Sequence, residues 1–405
     1  MRFTTLRLFF LGIHLGLALI LVGCSEKTIL QEETVVQEEL IRKELPMELY
    51  VLEEMKSGKY EPQEGIYTGA YVEKDEAVHG DLVKYESLVG QNQTFKVFMY
   101  NKEKGISKQE ILKCIAQKKV PYIKLILSEN YDLTSLYQLI FDMKLSYQTP
   151  LFIELYPLTE KNYEINQYKE TYQRAYEILH KYLSDVTIVW SCDDTRISDM
   201  ALYDPGRGYM DWMGLNVYIP NYKQGMPYHY DGLSQLDYWY KSYQEKCPLL
   251  ISALAISHYS HIDHTYTLAE AKSHMNLFYK EILEDYPRMK GILYMDVNMK
   301  LVSGKGKEDY SIAGEELLCE TMRDLSIPLK VNPYLENEVK KSECYMKYSV
   351  KGMLIGDSLY IPQEYMASCF KDVPLRKLKK VNDLSGEVYY AYEDIKAYCT
   401  TYYKA

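Results

Sequence analysis

Eight short apolar runs, most of them followed by an amphipathic segment, set the strongest limit on the fold of this chain. The runs span residues 65–72, 95–101, 122–127, 151–157, 187–191, 211–218, 248–255 and 291–298. Helix-like segments follow seven of them, at residues 80–89, 107–118, 131–146, 165–184, 232–246, 268–285 and 314–324. Strands that alternate with helices predict a parallel sheet, because each crossover helix returns the chain to begin the next strand in the same direction.

Two parallel architectures fit this alternation. Eight strand–helix units in roughly 260 residues are typical of a closed (β/α)8 barrel. An open doubly wound sheet is the alternative, but the glycine-rich phosphate loop of nucleotide-binding sheets does not follow residues 65–72. We therefore predict an α/β fold, with a (β/α)8 TIM barrel at residues 65–325 and a small α+β C-terminal domain at residues 326–405.

Functional side chains of a (β/α)8 barrel lie at the carboxyl ends of its strands. The predicted strand ends carry aromatic and polar residues, which suit the faces and hydroxyls of sugar rings. The candidate substrate-binding residues are Tyr71, Tyr156, Trp190, Asp193, Tyr218 and Asp296. Structural alternatives stay open, with Trp190 as a core residue and Asp193 as a loop cap. Tyrosine is abundant, at 42 of 405 residues, and also serves core and surface in a chain with few other aromatics.

The most distinctive motif is a turn, YDPG at residues 203–206, followed by a strand, DWMGLNVY at residues 211–218. With GAY (69–71), VW (189–190), CPLLISALA (247–255) and GILYMDVN (291–298) in that order, it resembles glycoside hydrolase family 26, which contains β-mannanases and related endoglycanases. The resemblance covers about residues 65–325. It implies a retaining glycosidase barrel with two glutamates roughly 5 Å apart, one the acid/base and the other the nucleophile.

Neither glutamate stands where the resemblance places it. The family's R-x-x-x-E-M-N motif aligns with residues 151–160, which puts Glu154 at the arginine and Leu158 at the acid/base. The nucleophile motif aligns with residues 247–255 and puts Ala253 at the glutamate. Leucine and alanine cannot donate a proton or form a glycosyl ester. We therefore predict no catalytic residue, with Glu154 as a candidate acid under a slip of one register.

Three functions follow from these residues. The first is a degenerate glycosidase-like barrel, a pseudoenzyme that binds a polysaccharide, a cell-wall glycan or an envelope partner without cleavage. The second is an active hydrolase of the mannan type, with Glu154 as the acid and Asp193 or Asp296 activating water. The third is a non-catalytic envelope scaffold.

The N-terminus predicts a signal peptide over residues 1–23. Arg2 and Arg7 form a basic region before an apolar stretch, residues 8–22, that is too short for an ordinary transmembrane helix. The stretch ends in LVGC, which resembles a bacterial lipoprotein lipobox and implies lipid attachment at Cys24. An uncleaved signal anchor is the alternative. We predict an extracytoplasmic protein held at the bacterial cell membrane by a lipid, with residues 24–64 as the tether.

The C-terminal region contains an internal similarity. Residues 355–369 and 385–399 align with each other, and each has the pattern of a strand followed by a short helix. They resemble the small repeats of stalk domains related to the N-terminal domain of copper amine oxidases. The resemblance implies an accessory domain without copper chemistry, and chance similarity is the alternative.

The charge, cysteine and histidine content of the chain limits the partners and cofactors that it can bind. The formal charge is −10 and no long basic run occurs, which argues against a nucleic-acid partner. Seven scattered cysteines follow Cys24, consistent with free buried thiols or with one or two disulfides. HYSHIDH at residues 258–264 spaces three histidines without an identifiable fourth ligand, so we predict no metal and no cofactor.

Overall fold

The computed structural model describes residues 42–405, apart from residues 102, 104, 147–148, 160, 337–340 and 384. The predicted signal peptide and the lipidation site at Cys24 lie outside the described residues. Within the part of the chain that is described, no helix is both long enough and apolar enough to cross a membrane.

Eight parallel strands close into a barrel, which confirms the predicted (β/α)8 fold. Numbering starts at β1, Arg42–Lys56, which lies outside the barrel. The barrel strands β2 to β9 are Tyr67–Lys74, Phe95–Met99, Val120–Leu125, Leu151–Leu155, Val186–Asp193, Trp212–Ile219, Leu249–Ile256 and Met289–Val297. Going round the barrel, β9 pairs with β2 and β7 pairs with β8, so the sheet has no free edge.

Seven helices of at least eight residues surround the barrel among the described residues. They are α1 to α7, at Leu82–Val89, Lys108–Ala116, Thr134–Ser146, Ile165–Tyr182, Leu233–Tyr243, Leu268–Asn276 and Glu316–Ser326. The Asp81 carboxylate caps α1 by accepting from the backbone N–H groups of Val83 and Lys84, and Gly90 ends the helix at a φ of 68°. After β6 the chain makes only a 3-10 turn and a four-residue helix, where the sequence also predicted no long helix.

Each barrel strand places alternate residues on opposite faces. The inner face carries an aromatic core that fills the lower half of the barrel, made of Tyr67, Phe95, Tyr122, Phe152 and Trp212. The outer face packs against the helices, with Ile188 and Leu215 as examples. β8 departs from strict alternation through a register shift between Ile251 and Ala253. A strand-end residue therefore reaches the barrel mouth only if it lies on the inner face.

A six-stranded antiparallel sheet forms the C-terminal region. Its strands after the barrel are β10 to β14, at Lys341–Ile355, Ser358–Pro362, Lys380–Asn382, Val388–Ala391 and Thr401–Lys404. The order is β12-β13-β11-β10-β1-β14. The two similar segments supply β11 and β13, which pair with each other, and a short helix follows each strand.

The prediction of a tether through residue 64 is wrong for residues 42–56. These residues form β1, which pairs with β10 along its whole length, from Arg42 opposite Ile355 to Lys56 opposite Lys341. Met47, Leu49 and Val51 lie on one face of β1 and complete the apolar core of the sheet. Glu48 lies between Met47 and Leu49, and further glutamates and lysines lie at both ends of the segment, so the alternation is obscured in the sequence.

The sheet is attached to the end of the barrel where the strands begin. Arg288, next to the start of β9, makes two hydrogen bonds of 2.9 Å to the Glu61 carboxylate, and both side chains are buried. The Trp212 indole, at the start of β7, donates to the carbonyl of Lys59 at 2.7 Å. The connection from β1 to β2 therefore closes the bottom of the barrel, and the mouth lies at the opposite end.

Candidate functional site

Three of the six predicted binding residues lie on the inner face at the barrel mouth: Tyr71, Asp193 and Tyr218. Tyr71 belongs to the inner cluster, and Asp193 ends β6 two residues after the inward-facing Ser191. Tyr218 has 44% of its surface accessible. Desolvation by the surrounding protein nevertheless raises the pKa of its phenol well above the usual value. The Tyr218 ring is therefore accessible at the mouth, on the same face of β7 as Asn216.

The structure does not place the other three in the mouth, which corrects the prediction for Tyr156, Trp190 and Asp296. The Trp190 indole is fully buried between the barrel and the helices, where it donates to the Tyr168 hydroxyl at 3.0 Å. Tyr156 also packs in this outer core, at a left-handed φ of 48° just after β5.

Asp296 is fully buried on the outer face of β9, between Met295 and Val297 of the inner cluster. Its Oδ1 accepts from the backbone N–H groups of Ile312 at 2.6 Å and Ala313 at 3.3 Å. These bonds hold the segment before α7 against the barrel. Asp296 therefore has a structural position and does not face a ligand.

A buried polar network centred on Glu154 fills the upper barrel. Glu154 Oε1 accepts from Ser191 Oγ at 2.7 Å and from Asn216 Nδ2 at 3.2 Å. Its Oε2 accepts from Tyr122 Oη at 3.1 Å and lies 2.9 Å from Lys124 Nζ. Glu154 has no exposed surface. A buried ion pair is tolerated when hydrogen bonds fill its remaining valences, as they do here.

The network continues to Asp193 at the rim. Lys124 Nζ donates to Asn216 Oδ1 at 3.0 Å, and Ser252 Oγ donates to the same oxygen at 2.9 Å. The Asn216 amide nitrogen donates to Asp193 Oδ1 at 3.2 Å as well as to Glu154. Sequence reasoning missed Lys124 and Ser191 as members of this network. A lysine within the apolar run YIKLIL was the available signal.

Asp193 ends β6, and Asp194 begins the 3-10 turn that follows it. Burial raises the pKa of Asp193 to about 6, against the opposing effects of the Asn216 hydrogen bond and the Lys124 charge. Burial likewise raises the pKa of Asp194 to about 6. Both carboxyls therefore gain a proton between neutral and mildly acidic pH.

The wall formed by β8 carries no carboxylate. Ala253 and Ala255 are fully buried members of the inner cluster, so methyl groups occupy this part of the interior. Leu158, which the resemblance aligns with the acid/base, packs in the outer core and bridges to Cys192 through the backbone. Leu158 thus does not occupy a position from which a glutamate would reach the mouth.

A hairpin follows each of β7 and β8, at the carboxyl end of the strand. The second contains two tyrosines, Tyr259 and Tyr266, whose ring centroids are 4.5 Å apart. The three histidines of this region have separate partners. His258 faces Glu315 at 3.5 Å, His261 accepts or donates at 2.9 Å to Asn298, and His264 pairs with the Tyr259 hydroxyl at 3.0 Å.

Two further features concern metals and disulfides. Over the described ranges, no group of three or more histidine, cysteine, aspartate or glutamate side chains is arranged to hold a metal ion. The seven cysteines after Cys24 are unpaired thiols, and all but Cys399 are buried.

Comparison with known proteins bears on the fold. No family model and no curated protein matches the sequence. Among solved structures, a family 26 glycoside hydrolase from a Muricauda species, GH26C, matches with a TM-score of 0.52 and 9% identity over 68% of this chain and 91% of that one. A family 26 β-mannanase from Bacteroides ovatus gives 0.48 and 12% over 68% and 92%. The catalytic domain of a family 26 endo-β-1,4-mannanase from a Bacillus species gives 0.49 and 11% over 69% and 93%.

At these identities the likeness concerns the fold alone. The chain has the (β/α)8 barrel of glycoside hydrolases such as the Muricauda protein.

Proposed function

We propose that this protein binds a glycan in the mouth of a glycoside-hydrolase-like barrel without cleaving it. We also propose that it is a lipoprotein of the bacterial cell envelope, anchored at Cys24. The anchoring rests on the sequence of residues 21–24 and is independent of the site.

One observation carries the proposal of binding without cleavage. Glu154, the single glutamate among the inward-facing residues of β5, is fully buried and has four hydrogen-bonding or ionic partners. On β8, where the family resemblance puts the nucleophile, the inner face carries Ala253 and Ala255. A retaining glycosidase needs two carboxyl groups that both touch the substrate, roughly 5 Å apart. Glu154, with all its hydrogen-bonding capacity used inside the protein, and the methyl groups of Ala253 and Ala255 do not supply these two carboxyl groups.

The mouth keeps groups that suit a sugar. Tyr218 offers an accessible ring, and Tyr71 lies on the same inner surface. Among the described residues, Asn216 alone donates a side-chain hydrogen bond to Asp193, which leaves the carboxylate with capacity for sugar hydroxyls. Aromatic rings and carboxylates in a concavity are the usual components of a carbohydrate site.

Hydrolysis by a displaced pair is the second candidate, and one observation favours it. Glu154 and Asp193 each accept from the same Asn216 nitrogen at 3.2 Å, so the two carboxyls are close together. Asp193, with its pKa raised to about 6, has the protonation behaviour of a general acid. A displaced pair needs a second carboxyl beside Asp193. Glu154 is fully buried and Asp296 lies on the outer face of β9, so neither candidate supplies it.

An envelope scaffold is the third candidate. It is favoured by exposed aliphatic residues on the loops after β7, β8 and β9, where Met226 is 68%, Ile262 is 63% and Val302 is 52% accessible. Large apolar side chains exposed on neighbouring loops are typical of protein interfaces.

Calorimetry of residues 42–405 with soluble glucomannan, galactomannan, xylan and peptidoglycan fragments tests the proposal. We expect binding to at least one of them, and a loss of about tenfold in affinity in Tyr218→Ala, which corresponds to about 1.4 kcal/mol. Tyr182→Ala is the matched control, because Tyr182 is 40% accessible and ends α4 at the bottom of the barrel. That variant should bind like the wild type.

Two results would count against the proposal. If the protein binds none of these glycans, the envelope scaffold becomes the favoured function. Release of reducing sugar by the wild type, abolished in Asp193→Asn, would establish the hydrolase.

A further inference from the structure

A groove on the outside of the barrel, near the end opposite the mouth, is a second candidate binding site. It lies between two helical segments and reaches the beginnings of β9 and β2. We infer that this groove binds a fatty acid, with the carboxylate on Lys290 and the alkyl chain along an apolar wall. The site is separate from the mouth and from the glycan proposed for it.

Two adjoining cavities form the groove. The larger, of about 530 Å³, lies between α7 and the helical segment that begins with α6 and continues to Asp285. The smaller, of about 210 Å³, lies beside the first residues of β9. Leu283 and Leu329 line both, so the two cavities share a wall. The larger cavity falls within the usual range for small-molecule sites, about 300–1,000 Å³.

The shared wall is extended by apolar side chains in both cavities. These are Tyr279, Leu325 and Pro328 in the larger one and Ile66, Pro287 and Met289 in the smaller one. Tyr279 belongs to a π-helical turn, Leu277–Glu281, a local widening of a helix that is frequent at functional sites. Exposed charges of both signs line the larger cavity, and they are Lys272, Lys280, Glu284 and Asp324. This part of the groove is therefore apolar along its wall and balanced in charge.

Lys290 gives the smaller cavity an uncompensated positive charge. The residue is only 8% exposed, and it lines the cavity. Among the described residues it has no hydrogen-bond or ion-pair partner, and no carboxylate oxygen lies within 4.0 Å of its Nζ. A buried charge without a counter-ion is costly, so an anion that enters the cavity gains a favourable partner.

The charged groups nearest to Lys290 along the chain and across the cavity do not compensate it. Arg288 pairs with Glu61, and Lys330 pairs with Glu64. The Lys290 charge also acts on the Cys344 thiol, but burial raises the pKa of that thiol, which is therefore uncharged at neutral pH. The ammonium of Lys290 is thus available to a ligand.

One ammonium beside an apolar wall fits a ligand with one negative charge and an apolar body. A carboxylate carries a single charge and accepts hydrogen bonds from the N–H donors of a lysine. An alkyl chain covers the apolar wall and brings no polar groups that need partners. A phosphate headgroup carries more negative charge than one lysine balances, and a neutral chain leaves Lys290 unpaired. The combination favours a fatty acid.

Calorimetry of residues 42–405 with decanoate, decanol and decylamine, below their micelle-forming concentrations, tests the inference. We expect decanoate to bind about tenfold more tightly than decanol, because a charge-assisted hydrogen bond is stronger than a neutral one. Decylamine should bind most weakly, since its charge is repelled by Lys290. In Lys290→Met, which keeps the apolar stem of the side chain, the affinity for decanoate should fall to that for decanol. Lys290→Arg keeps the charge and should retain the preference.

Two further variants locate the binding. Leu329→Asn puts an amide into the wall that both cavities share and should weaken the binding of decanoate and decanol alike. Lys84→Met is the matched control, because Lys84 is an exposed lysine of α1 that does not line the groove. It should bind both ligands like the wild type.

Three results would overturn the inference: no binding of decanoate, equal affinities for decanoate and decanol, or a preference that persists in Lys290→Met. Decanoate binding that is unaffected by Leu329→Asn would place the ligand elsewhere and would overturn it as well. None of these results bears on the glycan proposal, which the polysaccharide titrations decide at the mouth.

Discussion

At the scale of single residues, a pair of buried carboxyls ties two loops of the barrel together. Asp75, just after β2, accepts from the backbone of Ala77 and from Val78 at 2.9 Å. Asp296 accepts from the segment before α7. Burial and then the neighbouring Asp75 raise the pKa of Asp296 well above its usual value. A buried carboxyl beside a second carboxyl ionises less readily, so Asp296 retains its proton to a higher pH than a free aspartate does.

This pair predicts a pH dependence. The pKa of Asp296 is higher in the folded than in the unfolded chain, so its contribution to stability is complete at acid pH and is lost as the pH rises through the folded value. Asp296→Asn keeps an oxygen for the two N–H groups and cannot ionise. Relative to the wild type, its free energy of unfolding should rise by about 1 kcal/mol or more between pH 5 and pH 9, the equivalent of one pKa unit.

Urea unfolding at the two pH values measures this difference. Asp324→Asn serves as the control, because Asp324 is exposed on α7 and the substitution should give no such trend. A difference for Asp296→Asn that is independent of pH would contradict the raised pKa of Asp296.

At the scale of elements, one glutamine joins the C-terminal sheet to the barrel. β10 pairs with β11 over Met353–Ile355, and no strand of the described part of the chain lies beside the earlier part of that edge. Gln244, just after α5, donates to the Lys347 carbonyl at 2.7 Å and accepts from its N–H at 2.9 Å. The carboxamide thus replaces the backbone of a missing strand at this point of the edge.

Gln244→Ala should therefore loosen the sheet locally. It leaves the buried N–H and carbonyl of Lys347 without partners, at a cost of about 1–3 kcal/mol. Hydrogen exchange should show faster exchange at Lys347 and unchanged protection in β5 and β6. Gln235→Ala, at an exposed site on the same helix, should change neither. Unchanged protection at Lys347 would show that the carboxamide is dispensable.

At the scale of the whole molecule, the two ends of the described chain complete one sheet. β1 lies between β10 and β14, and residues 42–405 form one compact unit. Without β10, the fully buried Leu49 and Tyr50 of β1 would be exposed. An unpaired apolar strand edge promotes aggregation.

A pair of truncations tests this dependence. Residues 42–336 keep β1 without its partners, whereas residues 57–336 lack the whole sheet and keep the barrel with Glu61 and Arg288. We expect the longer fragment to be the less soluble one by size-exclusion chromatography. Equal behaviour of the two fragments would mean that β1 is protected by something other than the sheet.

The sequence by itself determined the order and type of the barrel elements, because hydrophobic periodicity is local. Every predicted strand lies within about two residues of an observed one. The tertiary structure alone decided which side chains enter the mouth. Trp190 and Asp193 are three residues apart on one strand and so lie on opposite faces, but only the closed barrel shows that the face of Asp193 is the inner one.

The sequence did not predict the residues of the mouth because their facing depends on local strand register. It did not predict β1 because the partner strand is distant along the chain. The left-handed backbone at Tyr156 and the register shift in β8 change which face the residues at these strand ends lie on. Neither feature can be predicted from the amino-acid composition of the strand. The strand at residues 42–56 is recognisable only beside residues 341–355, nearly 300 positions later. The apolar residues of this strand become buried only when it pairs with residues 341–355, because a single strand does not form a core of its own.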